Sequence, residues 1–183
     1  MTLTGMDILI KRYKVILGYT GTIIMGIGFA LLTPLITIFF FQYSFREVFS
    51  FLITATITIL IGLKLRRFTS KQENITISIQ EGGIIVLFSW IGTIFISALP
   101  FLIAGELNFI QSVFEVVSGY TTTGLSVVNV SVISPMFLLW RSIMQLLGGV
   151  GLIVIMLSAI IGPHGVGLYN AEARSDKIVP NIK

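Results

Sequence analysis

The stretch Phe114–Ser126 reads FEVVSGYTTTGLS, and it sets three threonines directly before a glycine, between two long hydrophobic segments. Threonine favours an extended backbone. Glycine accepts the left-handed angles that can turn successive carbonyl groups to one side. Backbone carbonyls arranged in this way replace the water that a cation sheds in a narrow pore. The pattern therefore predicts an ion-selectivity filter.

The residues before the threonines predict a short apolar helix, roughly Phe109–Gly119, about 16 Å long at 1.5 Å per residue. That is about half the hydrocarbon core of a bilayer. Asn108 is expected to cap the helix, with Gln111 completing a capping box. The carbonyl end of the helix dipole would point at the threonines and favour a cation there. Because non-helical backbone at membrane depth must be buried in protein or line a wet cavity, Asn108–Ser126 is predicted to be a re-entrant pore loop.

The composition indicates a membrane protein surrounded by lipid. Hydrophobic residues make up 55% of the 183-residue chain and charged residues only 11%, whereas soluble domains carry about 25% charged residues. The sequence has no cysteine and one histidine. No nucleophile–base pair or set of metal ligands supports an enzyme. The basic residues cluster at the ends of hydrophobic segments, so no basic surface remains for a nucleic acid.

Hydropathy predicts an all-α membrane protein with four spans and the short helix between the last two. Two N-terminal transmembrane helices form a first segment, residues 1–70. One helix–pore-loop–helix unit of a potassium-channel-like pore follows at residues 71–162, and residues 163–183 are expected to be a truncated cytoplasmic connection. The four spans are predicted at Val15–Phe41, Val48–Leu63, Gly83–Ile103 and Met136–Ile161.

Basic residues predict the orientation of these spans. The clusters Lys11–Lys14 and Lys64–Lys71 are separated by two spans and therefore lie on the same side of the membrane. The positive-inside rule assigns that side to the cytoplasm, and four spans then leave both termini inside.

Two prolines and one tryptophan carry expectations about the ends of the spans. Pro34 either kinks the first span or lies where its helix ends. Pro135 suits the first turn of the last helix. Trp140 is expected to anchor that helix at the outer membrane interface.

Five further residues are candidates for supporting or gating the pore. Glu115 lies inside the short helix and Arg141 in the outer part of the fourth span, and an acid at that depth is costly unless paired. Either the two side chains form a buried ion pair, or each reaches its own water. Gly148, Gly149 and Gly151 would allow close packing or a hinge in the fourth span, and packing is the favoured interpretation.

Two long motifs carry a family resemblance. SGYTTTGLS at Ser118–Ser126 and LWRSIMQLLGGVGLIVIMLSAI at Leu139–Ile160 resemble sequences of the Trk/Ktr/HKT superfamily of potassium transporters. The two helices before the pore unit make the chain most similar to the N-terminal part of TrkH-type potassium uptake subunits, because Ktr-type subunits lack them. GVGLYNAEAR at Gly165–Arg174 resembles the sequence just after the first pore unit of the same subunits.

The resemblance implies a K⁺ selectivity filter formed by the backbone carbonyls of Thr122, Thr123 and Gly124, with Thr121 adjoining. This filter lacks the tyrosine and the second glycine of the channel signature TVGYG. K⁺ would be the transported ion, with Na⁺ as the alternative, and no cofactor is implied. The resemblance further implies symport across a bacterial-type cytoplasmic membrane, with a coupling ion that the sequence does not identify.

The assembly implied by the resemblance is larger than this chain. In the family, four pore units of one polypeptide surround a single pore, whereas one unit is recognisable here. The chain is therefore expected to be the N-terminal quarter-pore portion, working with the remaining pore units or further copies, in a dimer of full-length subunits. A cytosolic nucleotide-binding regulatory subunit of the TrkA type is the implied partner. The alternatives are a homotetrameric cation channel of short chains and an inactive structural membrane fragment.

Overall fold

The computed structural model describes the backbone of residues 5–67 and 79–161, and the side chains of residues 12–67 and 81–151. Within these ranges all regular structure is helical, which confirms the predicted all-α class. The predicted boundary between residues 70 and 71 and the predicted connection at 163–183 lie outside the described residues. In chain order the elements are α1 (Gly5–Ala30), a 3₁₀ helix (Thr33–Phe39), α2 (Phe45–Arg67), α3 (Ile79–Ala104), α4 (Phe109–Tyr120) and α5 (Pro135–Ile161).

Three helical segments in the described part of the chain are long and apolar enough to cross a membrane: Arg12–Phe39, Phe45–Arg67 and Glu81–Ala104. They match the first three predicted spans to within a few residues. The fourth predicted span falls within α5, which begins at Pro135 as the sequence suggested. Proline suits this position because its missing N–H would have no partner in the first turn of a helix.

The first span changes its helical form near its C-terminal end. The α-helix stops at Ala30, and the chain continues as a 3₁₀ helix with Pro34 in its first turn. A proline inside an α-helix removes one hydrogen bond and clashes with the preceding turn, so the tighter helix begins where Pro34 is accommodated. Of the two readings of Pro34, the one in which the α-helix ends nearby is therefore correct. The 3₁₀ helix packs against α5.

Helices α1 and α2 form a closely packed antiparallel pair. A Cβ atom on Gly62 would lie 2.7 Å from the Cβ of Met25 and 2.8 Å from the carbonyl oxygen of Gly21. Such small residues let two helix backbones approach without side chains between them, which is how helices associate in an apolar solvent. The pair packs in turn against α3.

An aromatic cluster joins α2, α3 and α5. The ring of Phe137 lies 4.7 Å from that of Phe101 and 5.2 Å from that of Phe51, and Phe51 meets Trp140 edge to face at 6.2 Å. All four side chains are fully buried. The prediction that Trp140 anchors α5 at the membrane interface is therefore wrong. Its indole packs in the core and donates a hydrogen bond to the carbonyl oxygen of Ser97 at 3.3 Å.

Candidate functional site

Helix α4 begins with the predicted cap. The side chain of Asn108 accepts a hydrogen bond from the backbone N–H of Gln111 at 2.9 Å, and the side chain of Gln111 accepts one from the N–H of Asn108 at 3.2 Å. This reciprocal pair satisfies N–H groups that have no partner inside the helix. It fixes the start of a 12-residue helix, which at 1.5 Å per residue is about 18 Å long.

The helix ends at Tyr120, and the threonines form a tight non-helical turn. The N–H of Thr122 donates to the carbonyl oxygen of Gly119 at 3.0 Å, and that of Thr123 to Ser118 at 3.1 Å. Gly124 has a φ of +79°, the left-handed angle that the sequence argument required of it. Thr122 also has a positive φ, +56°. That angle is a genuine outlier for a β-branched residue and was not anticipated from the sequence.

Hydroxyl groups close the turn on itself. The hydroxyl of Thr121 donates to the carbonyl oxygen of Val117 at 2.8 Å and lies 2.8 Å from the hydroxyl of Thr123. The hydroxyl of Ser118 donates to the carbonyl oxygen of Leu125 at 2.6 Å, across the base of the turn. The chain therefore leaves α4 and returns beside it within seven residues. Ser118 was not singled out from the sequence. The signal that could have indicated its role is the presence of a serine on each side of TTTG, Ser118 and Ser126.

A buried carboxylate holds the returning strand of the turn. The side chain of Glu115 is completely buried and lies 3.0 Å from the hydroxyl of Ser126. It also accepts a hydrogen bond from the N–H of Val127 at 2.9 Å. The guanidinium of Arg141 on α5 forms an ion pair with the same carboxylate. Of the two readings for Glu115 and Arg141, the ion pair is the one present, and it connects α4, the turn and α5.

The three glycines of α5 differ in what lies beside them. A Cβ atom on Gly148 would overlap the carbonyl oxygen of Tyr120 and lie 2.6 Å from its carbonyl carbon. A Cβ on Gly149 would make an ordinary 3.7 Å contact with the methyl group of Thr122, and one on Gly151 would meet nothing within 4 Å. Helix α5 runs unbroken through all three, so packing rather than a hinge describes Gly148.

The turn is exposed in this chain. Thr121, Thr122, Thr123 and Gly124 all lie at the surface, although the C-terminal half of α4 behind them is largely buried. The carboxyl end of α4 meets the turn, so the partial negative charge of the helix terminus acts on that surface. Among the described side chains, those of residues 12–67 and 81–151, no group of three acidic, histidine or cysteine residues could hold a metal ion. The exposed residues of the turn carry backbone carbonyl oxygens and threonine hydroxyl oxygens.

Comparisons with known proteins point to one group of transporters. A family model described as "Cation transport protein" (TrkH) matches residues 47–183. The Trk system potassium uptake protein TrkG of Escherichia coli K12 is 33% identical over 181 residues, which are 94% of this chain and 37% of TrkG. The uncharacterized cation transporter MJ1485 of Methanocaldococcus jannaschii is 33% identical over 93% of this chain and 36% of that protein.

A third relative matches a shorter stretch. The Trk system potassium uptake protein TrkH of Escherichia coli K12 is 31% identical over 122 residues, which are 62% of this chain and 25% of that protein. The chain thus spans little more than a third of the length of TrkG and of MJ1485, and its match covers a quarter of TrkH. No solved structure matches.

Proposed function

Since the chain belongs to the TrkH family of cation transport proteins, we propose that it forms the N-terminal, quarter-pore portion of a potassium uptake subunit. One observation carries the proposal. A 12-residue helix ends at Tyr120 and is followed directly by an exposed turn, Thr121–Gly124, in which two residues have left-handed backbone angles. Non-helical backbone in a membrane protein is tolerated where it lines a water-filled path. The turn supplies main-chain oxygens for such a path.

The proposed mechanism involves no covalent chemistry. A potassium ion exchanges part of its water shell for the carbonyl oxygens of Thr121, Thr122, Thr123 and Gly124, together with their counterparts from other pore units. The carboxyl end of α4 adds a favourable electrostatic contribution because its unpaired carbonyl groups carry partial negative charge. The inward electrochemical gradient drives net uptake.

Glu115 contributes to this site by holding the turn in place rather than by attracting the cation with its charge. Its carboxylate is neutralised by Arg141 and bonded to Ser126 and Val127, so its negative charge is already balanced before an ion arrives. The hydrogen bond from Ser118 to Leu125 holds the other side of the turn. These contacts keep the backbone oxygens in place, which a dehydrated ion requires.

The assembly and location follow from the same proposal. We place the chain in a cytoplasmic membrane with both termini inside, supported by Lys64, Arg66 and Arg67 in the last turn of α2. The exposed turn is to be completed by further pore units or by further copies of the chain, in a dimer of full-length subunits. The proposed regulatory partner is a cytosolic nucleotide-binding subunit of the TrkA type.

Two glycines offer a matched test of the filter. Gly124 and Gly105 both have a φ of +79°, and a Cβ on either would meet nothing within 4 Å. Alanine at each position therefore carries a similar backbone penalty, about 1–2 kcal/mol. The protein encoded by the complete reading frame is expressed in cells that lack potassium uptake, and growth at low K⁺ and rubidium influx are measured. Gly124→Ala should abolish rescue, whereas Gly105→Ala, at comparable membrane abundance, should retain it.

Equal transport by the two variants would contradict the filter assignment, because the same strain would then be harmless inside the turn. The 183-residue chain is assayed beside the complete reading frame. Rescue only by the longer protein supports the quarter-pore proposal. Rescue by the 183-residue chain expressed alone favours a homotetramer. Rescue by neither protein favours the alternative of an inactive structural membrane fragment.

A further inference from the structure

We propose that Gly148 on α5 is a positioning residue for the filter, because it determines the position of the carbonyl group of Tyr120, the last residue of α4 before the turn. The inference rests on the proposed function. It adds that a residue outside the TTTG sequence, Gly148, helps to determine cation selectivity. Gly148 touches no ion in this scheme. It acts through the backbone of Tyr120.

The contact at Gly148 is between two backbones. A Cβ there would overlap the carbonyl oxygen of Tyr120 and lie 2.6 Å from its carbonyl carbon and 2.8 Å from its Cα. All three atoms belong to the main chain, so no side-chain rotation could make room. An ordinary contact begins near 3.4 Å, so a single methyl group would displace the end of α4 by about 0.8 Å to clear the carbonyl carbon, and by more to clear the carbonyl oxygen.

The end of α4 contacts two other helices. The side chain of Tyr120 is buried, and its hydroxyl lies 3.0 Å from the hydroxyl of Ser97 on α3. Gly119, the residue before Tyr120, packs against α5 as well. A Cβ on Gly119 would lie 3.3 Å from the Cβ of Met144, which is one helical turn before Gly148. Because α3 and α5 hold the end of α4 on both sides, a displacement at Tyr120 passes to the next residues, which are Thr121 and Thr122.

Those next residues are not enclosed by packed side chains. Thr121 and Thr122 are exposed, and Thr122 already has an unfavourable positive φ. Metal sites hold their ligand distances to within about 0.2 Å. A shift of several tenths of an ångström in a ring of carbonyl oxygens is therefore large enough to change which cation fits best.

The neighbouring glycines provide matched controls. Alanine gains the same helix propensity at Gly148, Gly149 and Gly151. Only at Gly148 does the new methyl group meet main-chain atoms, since the site beside Gly149 offers a normal 3.7 Å contact and the site beside Gly151 is open. A difference between Gly148→Ala and Gly151→Ala thus reports the contact with Tyr120.

The experiment compares these variants in the protein encoded by the complete reading frame, purified and reconstituted into liposomes. Potassium and sodium influx are measured on the same preparations, and their ratio is taken only from protein that elutes as a folded species. Gly148→Ala should lower the K⁺-to-Na⁺ flux ratio at least about tenfold, because misplacing an interacting group by about 1 Å can cost up to a hundredfold. Gly151→Ala, whose methyl group meets nothing within 4 Å, should leave the ratio within about twofold of wild type.

A second variant covers the case in which Gly148→Ala does not fold. Met144→Ala keeps the Cβ beside Gly119 but removes the sulfur and the terminal methyl group next to it, which leaves space at the end of α4. The double variant Gly148→Ala/Met144→Ala should then fold and still show the lowered flux ratio, while Met144→Ala alone keeps a ratio closer to that of wild type. A folded Gly148→Ala protein, or a folded double variant, with the wild-type ratio would overturn the inference. Absence of cation flux in the wild-type protein would instead contradict the proposed function.

Discussion

The buried ion pair between Glu115 and Arg141 can be tested by removing each charge singly and then both together. Glu115→Gln keeps the shape of the side chain and leaves a carbonyl oxygen to accept from Ser126 or Val127. Arg141→Met keeps most of the apolar stem and removes the guanidinium. The double variant has no charge at either position, so it retains the packing and lacks only the electrostatic attraction.

The burial of both groups sets the size of the effect. The Glu115 side chain is 0% exposed and that of Arg141 14%. With an effective dielectric constant of about 20, two unit charges about 4 Å apart attract by about 4 kcal/mol. Breaking such a pair from one side leaves an uncompensated buried charge and costs about 3–5 kcal/mol.

The two single variants should cost about the same, for different reasons. After Arg141→Met the carboxylate still accepts hydrogen bonds from Ser126 and Val127, so we expect a loss near the lower end, about 3 kcal/mol. After Glu115→Gln the guanidinium can reach water through its exposed edge, and the loss is again about 3 kcal/mol. The double variant leaves no unpaired buried charge, so its free energy of unfolding should fall by only about 3–4 kcal/mol. The two single losses together are about 6 kcal/mol, so the coupling energy is about 2–3 kcal/mol.

The assay is reversible unfolding in mixed micelles, followed by tryptophan fluorescence, because the indole of Trp140 is buried beside Arg141. The ion pair between Arg12 and Glu81 serves as the control, since the Arg12 side chain is 53% exposed. Its cycle should give no more than about 1 kcal/mol of coupling. If the losses at Glu115 and Arg141 simply add in the double variant, the two groups do not stabilise each other and the reasoning fails.

Two further predictions concern the scaffold and use the same unfolding assay. Gly62→Ala should destabilise the α1–α2 pair by about 1–3 kcal/mol, because its methyl group meets the backbone of Gly21. Gly26→Ala, on an open face of α1, should cost nothing, and an equal loss for the two variants would contradict the packing argument. Asn108→Ala should cost about 1 kcal/mol by removing the cap of α4. Asn108→Asp should retain most of that stability, and a loss as large as that of alanine would mean that the cap contributes little.

The features that the sequence predicted correctly are encoded over short distances. The start of α4 depends on Asn108 and Gln111, three residues apart, and the start of α5 on a proline whose fixed φ suits a first turn. Long apolar runs predicted the first three spans because the bilayer admits few other structures. Each of these signals can be evaluated without knowing what lies beside it in space.

The errors and omissions arise from contacts between elements. Trp140 near the outer end of a span suggested an interfacial anchor, but its environment is decided by Phe51 on α2, which the local sequence cannot show. The positive φ of Thr122 has the same origin, because no local preference favours it in a β-branched residue. Surrounding contacts must hold such a residue in place, and they are not visible in the sequence around it.

These contacts show why the TTTG sequence by itself does not specify the turn. Its two sides are joined by Ser118 to Leu125, seven residues apart, and by Glu115 to Val127, twelve residues apart. Helix α5 adds the charge of Arg141 and the bare backbone of Gly148. A left-handed threonine costs about 1–3 kcal/mol, and hydrogen bonds to a buried carboxylate contribute about 1.5–3 kcal/mol each, so the closing contacts outweigh the strain. The unit that determines the shape of the turn is therefore α4, the turn and α5 together, and a TTTG sequence that lacks these partners would relax toward ordinary right-handed angles.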